Sequence, residues 1–152
     1  MCGITGFLSK KYNSKDLQKI TDSLYHRGPD ADGIFFDQNI GIGLGHRRLS
    51  ILDLSTNANQ PFYSVCDRYV LVFNGEIYNF EAIYNELKKE TGFERKTVSD
   101  TEIILEAFVH WGDDFIHKLN GMFAFAIWDK NNNELKLFRD RIGIKPLYYY
   151  WV

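Results

Sequence analysis

Residues 1–7 read MCGITGF and place a cysteine directly after the initiator methionine. The segment 3–8 (GITGFL) alternates small and apolar residues, which predicts a short buried strand beginning beside that cysteine. Initiator methionine is normally removed when the next side chain is small. We therefore expect Cys2 to become the first residue, with its thiol and a free α-amine on one carbon. The alternative is that Cys2 is an accident of an N-terminal tail.

The composition is that of one globular domain, with 152 residues of which 45% are hydrophobic and 25% are charged. A formal net charge of -2 gives no general attraction for nucleic acid. No apolar run approaches the roughly 20 residues that a membrane helix needs. No basic segment followed by an apolar one marks a secretory signal. We expect a cytoplasmic protein that has neither nucleic acid nor a membrane as partner.

The cysteines and histidines argue against disulfides and metals. Cys2 and Cys66 are too few for a disulfide framework and suit a reducing compartment. The four histidines are scattered, and neither C-x-x-C nor H-E-x-x-H occurs, so no metal site is expected. Cys66 is expected to be a thiol without a catalytic part.

The order of predicted elements indicates an α+β domain with more strand than helix. Period-two apolar segments predict strands within 33–37, 39–52, 68–80, 122–129 and 134–140, and the segment 147–152 (LYYYWV) reads as the start of another strand. Helical spacing predicts three helices. The first begins at a Ser14 cap, and the second covers residues 80–92 with Gly92 near its end. The third follows an S-x-x-E capping box formed by Ser99 and Glu102. Residues 53–61 read as a loop.

An N-terminal cysteine carries its own base. A free thiol is mostly protonated at neutral pH, and a neutral α-amine on the same residue can take its proton as sulfur attacks a carbonyl. The tetrahedral intermediate then needs hydrogen-bond donors, and FNGEI offers the side-chain amide of Asn74 and the backbone N–H of Gly75. Taken alone, an Asn-Gly pair is also typical of a two-residue hairpin turn. Both interpretations can hold together.

Charged residues complete a hypothetical site for an α-amino acid. Arg47 and Arg48 alternate in side if they lie on a strand, so one of them faces inward and suits a substrate carboxylate; a surface pair is the alternative. Glu76 and Asp100 could hold a substrate ammonium. Otherwise Glu76 is a solvated turn residue and Asp100 an acidic residue in the first turn of a helix.

Seven motifs in register carry a resemblance to one family. They are MCGITGF, HRGPD (26–30), HRRLSILD (46–53), FNGEIYN (73–79), SDTE (99–102), LNGMFAFAIWD (119–129) and RDRIGIKPLYY (139–149). Together they resemble the glutaminase domain of class II glutamine amidotransferases, and they are most similar to the N-terminal half of glutamine-hydrolysing asparagine synthetases. On this resemblance residues 1–152 form one glutaminase domain.

The resemblance implies a four-layer α-β-β-α sandwich of the N-terminal-nucleophile hydrolase type, with its C-terminal edge cut short. It also implies that glutamine is hydrolysed to glutamate and ammonia through a thioester on Cys2. The implied oxyanion hole consists of Asn74 and Gly75, and Arg27 in HRGPD is a lesser candidate near the ammonia path. The implied substrate-binding set is Arg48, Leu49, Ser50, Ile51, Leu52, Asn74, Gly75, Glu76 and Asp100.

The synthetase half of such proteins is not found in this sequence. Nothing matches S-G-G-x-D-S or G-x-x-x-x-G-K-[ST]. The expectation is therefore a domain that needs no cofactor itself, with ATP and Mg²⁺ used only by a separate synthetase domain or subunit that receives the ammonia and makes asparagine from aspartate. An amidotransferase for another acceptor, such as a sugar carboxylate, and a catalytically silent binding fragment are the alternatives. The oligomeric state stays open, a homodimer included.

Overall fold

The computed structural model of the protein describes residues 2–51 and 53–151. The seven strands are β1 (Gly3–Leu8), β2 (Ala31–Asp37), β3 (Ile42–Arg48), β4 (Phe62–Tyr63), β5 (Tyr69–Ile77), β6 (Gly121–Asp129) and β7 (Glu134–Arg139). The α-helices are α1 (Ser14–Asp22), α2 (Phe80–Thr91) and α3 (Asp100–Trp111), and 3₁₀ turns cover Tyr25–Arg27, Thr56–Ala58 and Gly112–Lys118. Within the described ranges no helix is both long and apolar enough to cross a bilayer.

Two antiparallel sheets face each other. The first has the strand order β1-β3-β2, and the second has the order β4-β5-β6-β7. Helix α1 packs on the outer face of the first sheet, α3 packs on β5 and β4, and α2 packs against α3. Strands β1 and β3 contact β5 across the sheet interface. This arrangement confirms the predicted α+β fold with four layers in the order α-β-β-α.

The two-residue period of each strand divides the core into two clusters. In β5, Leu71 and Phe73 join the cluster formed with α2 and α3, whereas Val70 and Val72 join the cluster between the sheets. The cluster between the sheets also includes Ile42 and Leu44 of β3 and Ala126 and Trp128 of β6. Even-numbered residues of β3, β5 and β6 therefore face the opposite sheet, and this alternation decides which polar side chains can meet there.

The helix ends differ in part from the predictions. Helix α1 is capped by Asn13 and not by Ser14, because the Asn13 side chain accepts from the N–H groups of Lys15 and Asp16 while Asp16 accepts from Asn13 N–H. At α3 the predicted Ser99 cap is confirmed. Gly92 ends α2 with a φ of 74°, in the left-handed region where glycine is favoured.

The expected partner of the Ser99 cap, the Glu102 carboxylate, does not complete a capping box. It accepts from the N–H groups of Lys96 and Thr97 and from the Thr97 hydroxyl, so it anchors the segment before the helix.

Two strand predictions are wrong. Asn74-Gly75 is not a hairpin turn, since β5 runs through both residues and pairs with β6 along its whole length. The residues 147–151 form no strand, because this described segment has no neighbouring strand with which to build a hydrogen-bond ladder. Tyr148, Tyr150 and Trp151 are each more than 85% exposed there. The predicted hairpin that joins β6 to β7 is confirmed.

Candidate functional site

Cys2 lies at the entry to β1, beside the end of β3. Its Sγ is 3.4 Å from the backbone nitrogen of Leu49, which donates to the sulfur, and 3.7 Å from the carbonyl oxygen of Leu49. Pairing of Gly3 with Arg47 brings the start of β1 to this position. Arg27 Nε donates to the Cys2 carbonyl oxygen at 3.1 Å. The half-buried thiol is thus held in place by backbone 47 residues away in sequence.

A pocket between the two sheets collects most of the predicted site residues. Those that line it are Cys2, Arg48, Leu49, Ile51, Asn74, Gly75, Glu76 and Asp100. Ser50 lies in the same segment, but its backbone N–H donates to the Asp30 carboxylate at 2.8 Å and it is absent from the described lining. Leu52 lies outside the described residues. The predicted nucleophile, oxyanion donors and charged groups therefore share one cavity.

The side chains of Asn74 and Glu76 point into the pocket because successive side chains of β5 alternate between the two faces of the sheet. They lie on the same face of β5 as Val70 and Val72, whose side chains are between the sheets. They therefore point toward the sheet that carries Cys2. Asn74 is only 5% exposed, yet its side-chain amide has no hydrogen bond within the described part of the chain. A buried amide with unused donors in a pocket is available to a ligand.

The backbone N–H of Gly75 faces the same pocket. Gly75 lies opposite Phe123 of β6, but the N–H and C=O groups of Phe123 are both bonded to Asp140 on the other side. The N–H of Gly75 therefore points away from β6, as do the polar groups of Phe73 and Ile77 on the same edge of β5. The N–H groups of Phe73 and Ile77 are both capped by side chains from other elements. Among the described residues, Gly75 N–H has no such cap.

The side chains of Arg47 and Arg48 point to opposite faces of the first sheet, and both are buried, so they do not form a surface pair. Arg47 points to the outer face of the first sheet, where it forms ion pairs with Asp32 at 3.3 Å and Asp22 at 3.7 Å and lies over the Tyr25 ring. These contacts tie α1 to the sheet. Arg48, the arginine that the family resemblance implies for substrate binding, is the one that lines the pocket.

The Arg48 guanidinium also organises the loop at residues 53–59. Its Nη1 donates to the carbonyl oxygen of Ser55 and to Asn59 Oδ1, each at 2.7 Å, and its Nη2 donates to the carbonyl oxygen of Asp53. A guanidinium has five donors, so these three bonds leave two for other partners. Arg48 can therefore hold the loop and still bind an anion.

Asp100 and Glu76 place negative charge on the opposite side of the pocket. Asp100, at the start of α3, accepts from Ile77 N–H at 3.0 Å and is 5% exposed. Burial raises the pKa of Asp100 to about 6, and the nearby charge of Glu76 acts in the same direction. A cationic group bound beside Asp100 would favour its ionised form.

The raised pKa of Asp100 predicts an unusual pH dependence of stability. Between about pH 4 and 6 the folded protein keeps a proton on Asp100 that the unfolded chain releases, so stability contributed by this group falls as pH rises. Buried His46 opposes it, because burial lowers its pKa from 6.5 to about 4 and stability contributed by His46 rises over that interval.

Replacing Asp100 with asparagine keeps an oxygen acceptor for Ile77 and removes only the titrating group. We expect the free energy of unfolding of Asp100→Asn, minus that of the wild type, to increase by about 2 kcal/mol between pH 4 and 7. Urea unfolding at several pH values measures this difference. A difference that does not vary with pH would contradict the raised pKa.

The sequence analysis missed several residues of the pocket lining, among them Gln60, Asp53 and Lys145. Gln60, in the loop before β4, and Asp53, at the end of HRRLSILD, line the pocket but carry no local signal of a role. Lys145 is 3% exposed and also lines it. Its motif, RDRIGIKPLYY, was recognised, yet a lysine in a loop is normally exposed, so burial could not be predicted from the sequence.

The chain is similar to several known proteins. A putative glutamine-hydrolysing asparagine synthetase 2 of Methanocaldococcus jannaschii is 43% identical, over 99% of this chain and 32% of its own length. The glutamine-hydrolysing asparagine synthetase 1 of Bacillus subtilis is 41% identical, over 98% of this chain and 24% of its own length. Amidase chry2 of Gibberella zeae is equally similar, at 41% over 98% of this chain and 24% of its length. The chain thus spans about a quarter to a third of these relatives.

A solved structure supports the fold independently. The glutamine phosphoribosylpyrophosphate amidotransferase of B. subtilis superposes with a TM-score of 0.63 over 85% of this chain and 35% of its own, at 21% sequence identity. The family described as "Glutamine amidotransferase domain" matches residues 1–151. This match confirms the resemblance found in the sequence motifs, and the chain belongs to the family of glutamine amidotransferase domains.

Proposed function

We propose that the chain hydrolyses glutamine to glutamate and ammonia through a γ-glutamyl thioester on Cys2. The observation that carries the proposal is the position of the Cys2 thiol in one pocket with Asn74, whose buried amide has no partner among the described residues. Family membership supports the same chemistry. The domain needs no cofactor for this reaction.

The proposed reaction has two steps. The Cys2 sulfur attacks the side-chain carbonyl carbon of glutamine, and the α-amine freed by loss of Met1 takes the thiol proton. Asn74 and Gly75 donate to the oxygen as it becomes negative. The C–N bond then breaks, and ammonia leaves with that proton. Water hydrolyses the thioester to glutamate and restores the thiol.

Charge complementarity supports the binding mode of the substrate. Glu76 and Asp100 would hold the α-ammonium of glutamine, and the two remaining donors of Arg48 would hold its α-carboxylate. Leu49, Ser50, Ile51 and Leu52 would shape the wall next to the nucleophile. Arg48 lies on β3 of the first sheet, whereas Glu76 lies on β5 of the second sheet and Asp100 at the start of α3. A bound α-amino acid would therefore bridge the two sides of the pocket.

The identity of the molecule that accepts the ammonia is a separate proposal. Because two of the relatives described above are named asparagine synthetases, we infer that an ATP- and Mg²⁺-dependent synthetase domain or subunit uses the ammonia to make asparagine from aspartate. The relative named amidase favours a second candidate, an amidotransferase with another acceptor. The two free thiols support a cytoplasmic setting for either reaction.

Covalent labelling tests the proposal. The protein is treated with the glutamine analogue 6-diazo-5-oxo-norleucine, and intact mass and peptide mapping follow. We expect loss of Met1 and one adduct, on Cys2. A chain that has lost Met1 but gains no adduct would contradict a formed glutamine site and would favour a silent binding domain.

A further inference from the structure

Strand β5 has an unusual open edge where it passes the pocket. Its neighbour β4 has only two residues, and pairing ends with Phe62 opposite Leu71. Beyond that point Phe73 has no strand partner on this edge. Its backbone groups must be satisfied by other means, because an unpaired buried N–H or C=O is costly. Phe73 directly precedes the proposed oxyanion donors, so whatever satisfies it lies next to the reaction centre.

Gln60 replaces the missing strand on the N–H side of Phe73. Its side-chain oxygen accepts from Phe73 N–H at 2.6 Å, and its side-chain nitrogen donates to Thr101 Oγ1 of α3 at 3.4 Å. Gln60 is 7% exposed. Its backbone carbonyl packs so closely on Gly33 of β2 that a Cβ there would lie 2.3 Å from the oxygen. Two elements therefore bond the side-chain amide of Gln60, and a third packs against its backbone.

His46 satisfies the carbonyl of Phe73 from the opposite sheet. Its Nε2 lies 3.2 Å from the Phe73 oxygen, and the side chain is fully buried. Because burial lowers the pKa of His46 to about 4, the ring is neutral, and only an Nε2–H can donate to a carbonyl. Nδ1 then carries the lone pair and has no partner within the described residues.

We propose that Gln60, together with His46, positions the oxyanion donors of the glutaminase site through the backbone of Phe73. The carbonyl of Phe73 and the N–H of Asn74 share one planar peptide group, so fixing that carbonyl fixes one side of Asn74. The hydrogen bond from Phe73 N–H to Gln60 fixes the peptide group between Val72 and Phe73 in the same way. This inference rests on the proposed function. Gln60 and His46 are positioning residues, since they act on the substrate through Asn74 and Gly75.

The test compares two side chains that each cap a backbone N–H of β5. Gln60→Met has similar size but no acceptor for Phe73. The matched control is Ser64→Ala, because Ser64 Oγ accepts from Tyr69 N–H at 3.1 Å at the far end of the same strand. Both variants leave one N–H of β5 without its acceptor. Only the first disturbs the strand where it carries the donors.

We expect Gln60→Met to lower kcat for glutamine about 10-fold with KM changed less than about 2-fold, because the donors act mainly in the transition state. The inhibition constant of the γ-aldehyde of glutamate, which forms a tetrahedral adduct with a thiol, should rise by a similar factor. Ser64→Ala should leave all three constants near those of the wild type. A folded Gln60→Met with unchanged kcat, or with a raised KM alone, would overturn the proposal.

Amide NMR spectra test whether Gln60 positions Asn74 and Gly75, and they do so independently of enzyme activity. Gln60→Met should shift the backbone amide signals of Asn74 and Gly75, and Ser64→Ala should shift only signals near Tyr69. Unshifted Asn74 and Gly75 would overturn the positioning role even in an active enzyme. If Gln60→Met does not fold, Thr101→Val releases the other end of the Gln60 amide and should shift the same two signals. A wild type without glutaminase activity would instead refute the proposed function.

Discussion

We expect replacement of Cys2 with alanine to abolish glutamine hydrolysis while the fold is retained. The sulfur forms the bond to substrate in the proposed reaction, so its removal takes away the nucleophile. The residue is half-buried just before β1, and the hydrogen bonds of its sulfur within the described residues are to backbone groups of Leu49. Removing the sulfur atom should therefore cost little stability. Its effect on rate should far exceed its effect on folding.

The measurement is release of glutamate from glutamine, with thermal unfolding recorded in parallel. Cys66→Ala is the matched control, because Cys66 is the chain's other cysteine and is exposed outside the pocket. It should keep wild-type kcat and KM. Full activity in Cys2→Ala would refute the thioester mechanism. Loss of activity in both variants would point to a general requirement for thiols and not to a nucleophile at Cys2.

We expect replacement of Asn74 with alanine to lower kcat about 100-fold or more, with a smaller change in KM, because the proposed oxyanion donor that is lost acts mainly in the transition state. The Asn74 side chain makes no hydrogen bond within the described structure, so the substitution removes a donor without leaving a known partner unsatisfied. The free energy of unfolding should change much less than the activation free energy.

Steady-state kinetics with glutamine separates the two effects of Asn74→Ala. Asn132→Ala is a suitable control, since Asn132 lies in the exposed turn that joins β6 to β7. It should leave both constants unchanged. A large rise in KM with unchanged kcat for Asn74→Ala would assign Asn74 to substrate binding and would contradict the oxyanion role.

Sequence signals predicted correctly several features that depend only on interactions between neighbouring residues. The strand 3–8, the Ser99 cap and the Gly92 helix end were predicted because a cap or a two-residue period involves only neighbouring residues. The Asn74-Gly75 turn was predicted by the same kind of signal and was wrong. Pairing with all nine residues of β6 outweighs the local turn preference of an Asn-Gly pair.

The sequence by itself determined the α+β class and the family, and it predicted half of the described pocket lining, since seven motifs in register preserve their order along the chain. Only the tertiary structure decided how these residues meet. Cys2 contacts Leu49, Gln60 contacts Phe73 and Thr101, and Asp53 accepts from Val98 N–H across 45 positions. Such contacts depend on how two sheets stack and where β4 ends. No pattern within one segment encodes them, because each requires the whole fold to bring distant backbone within hydrogen-bond distance.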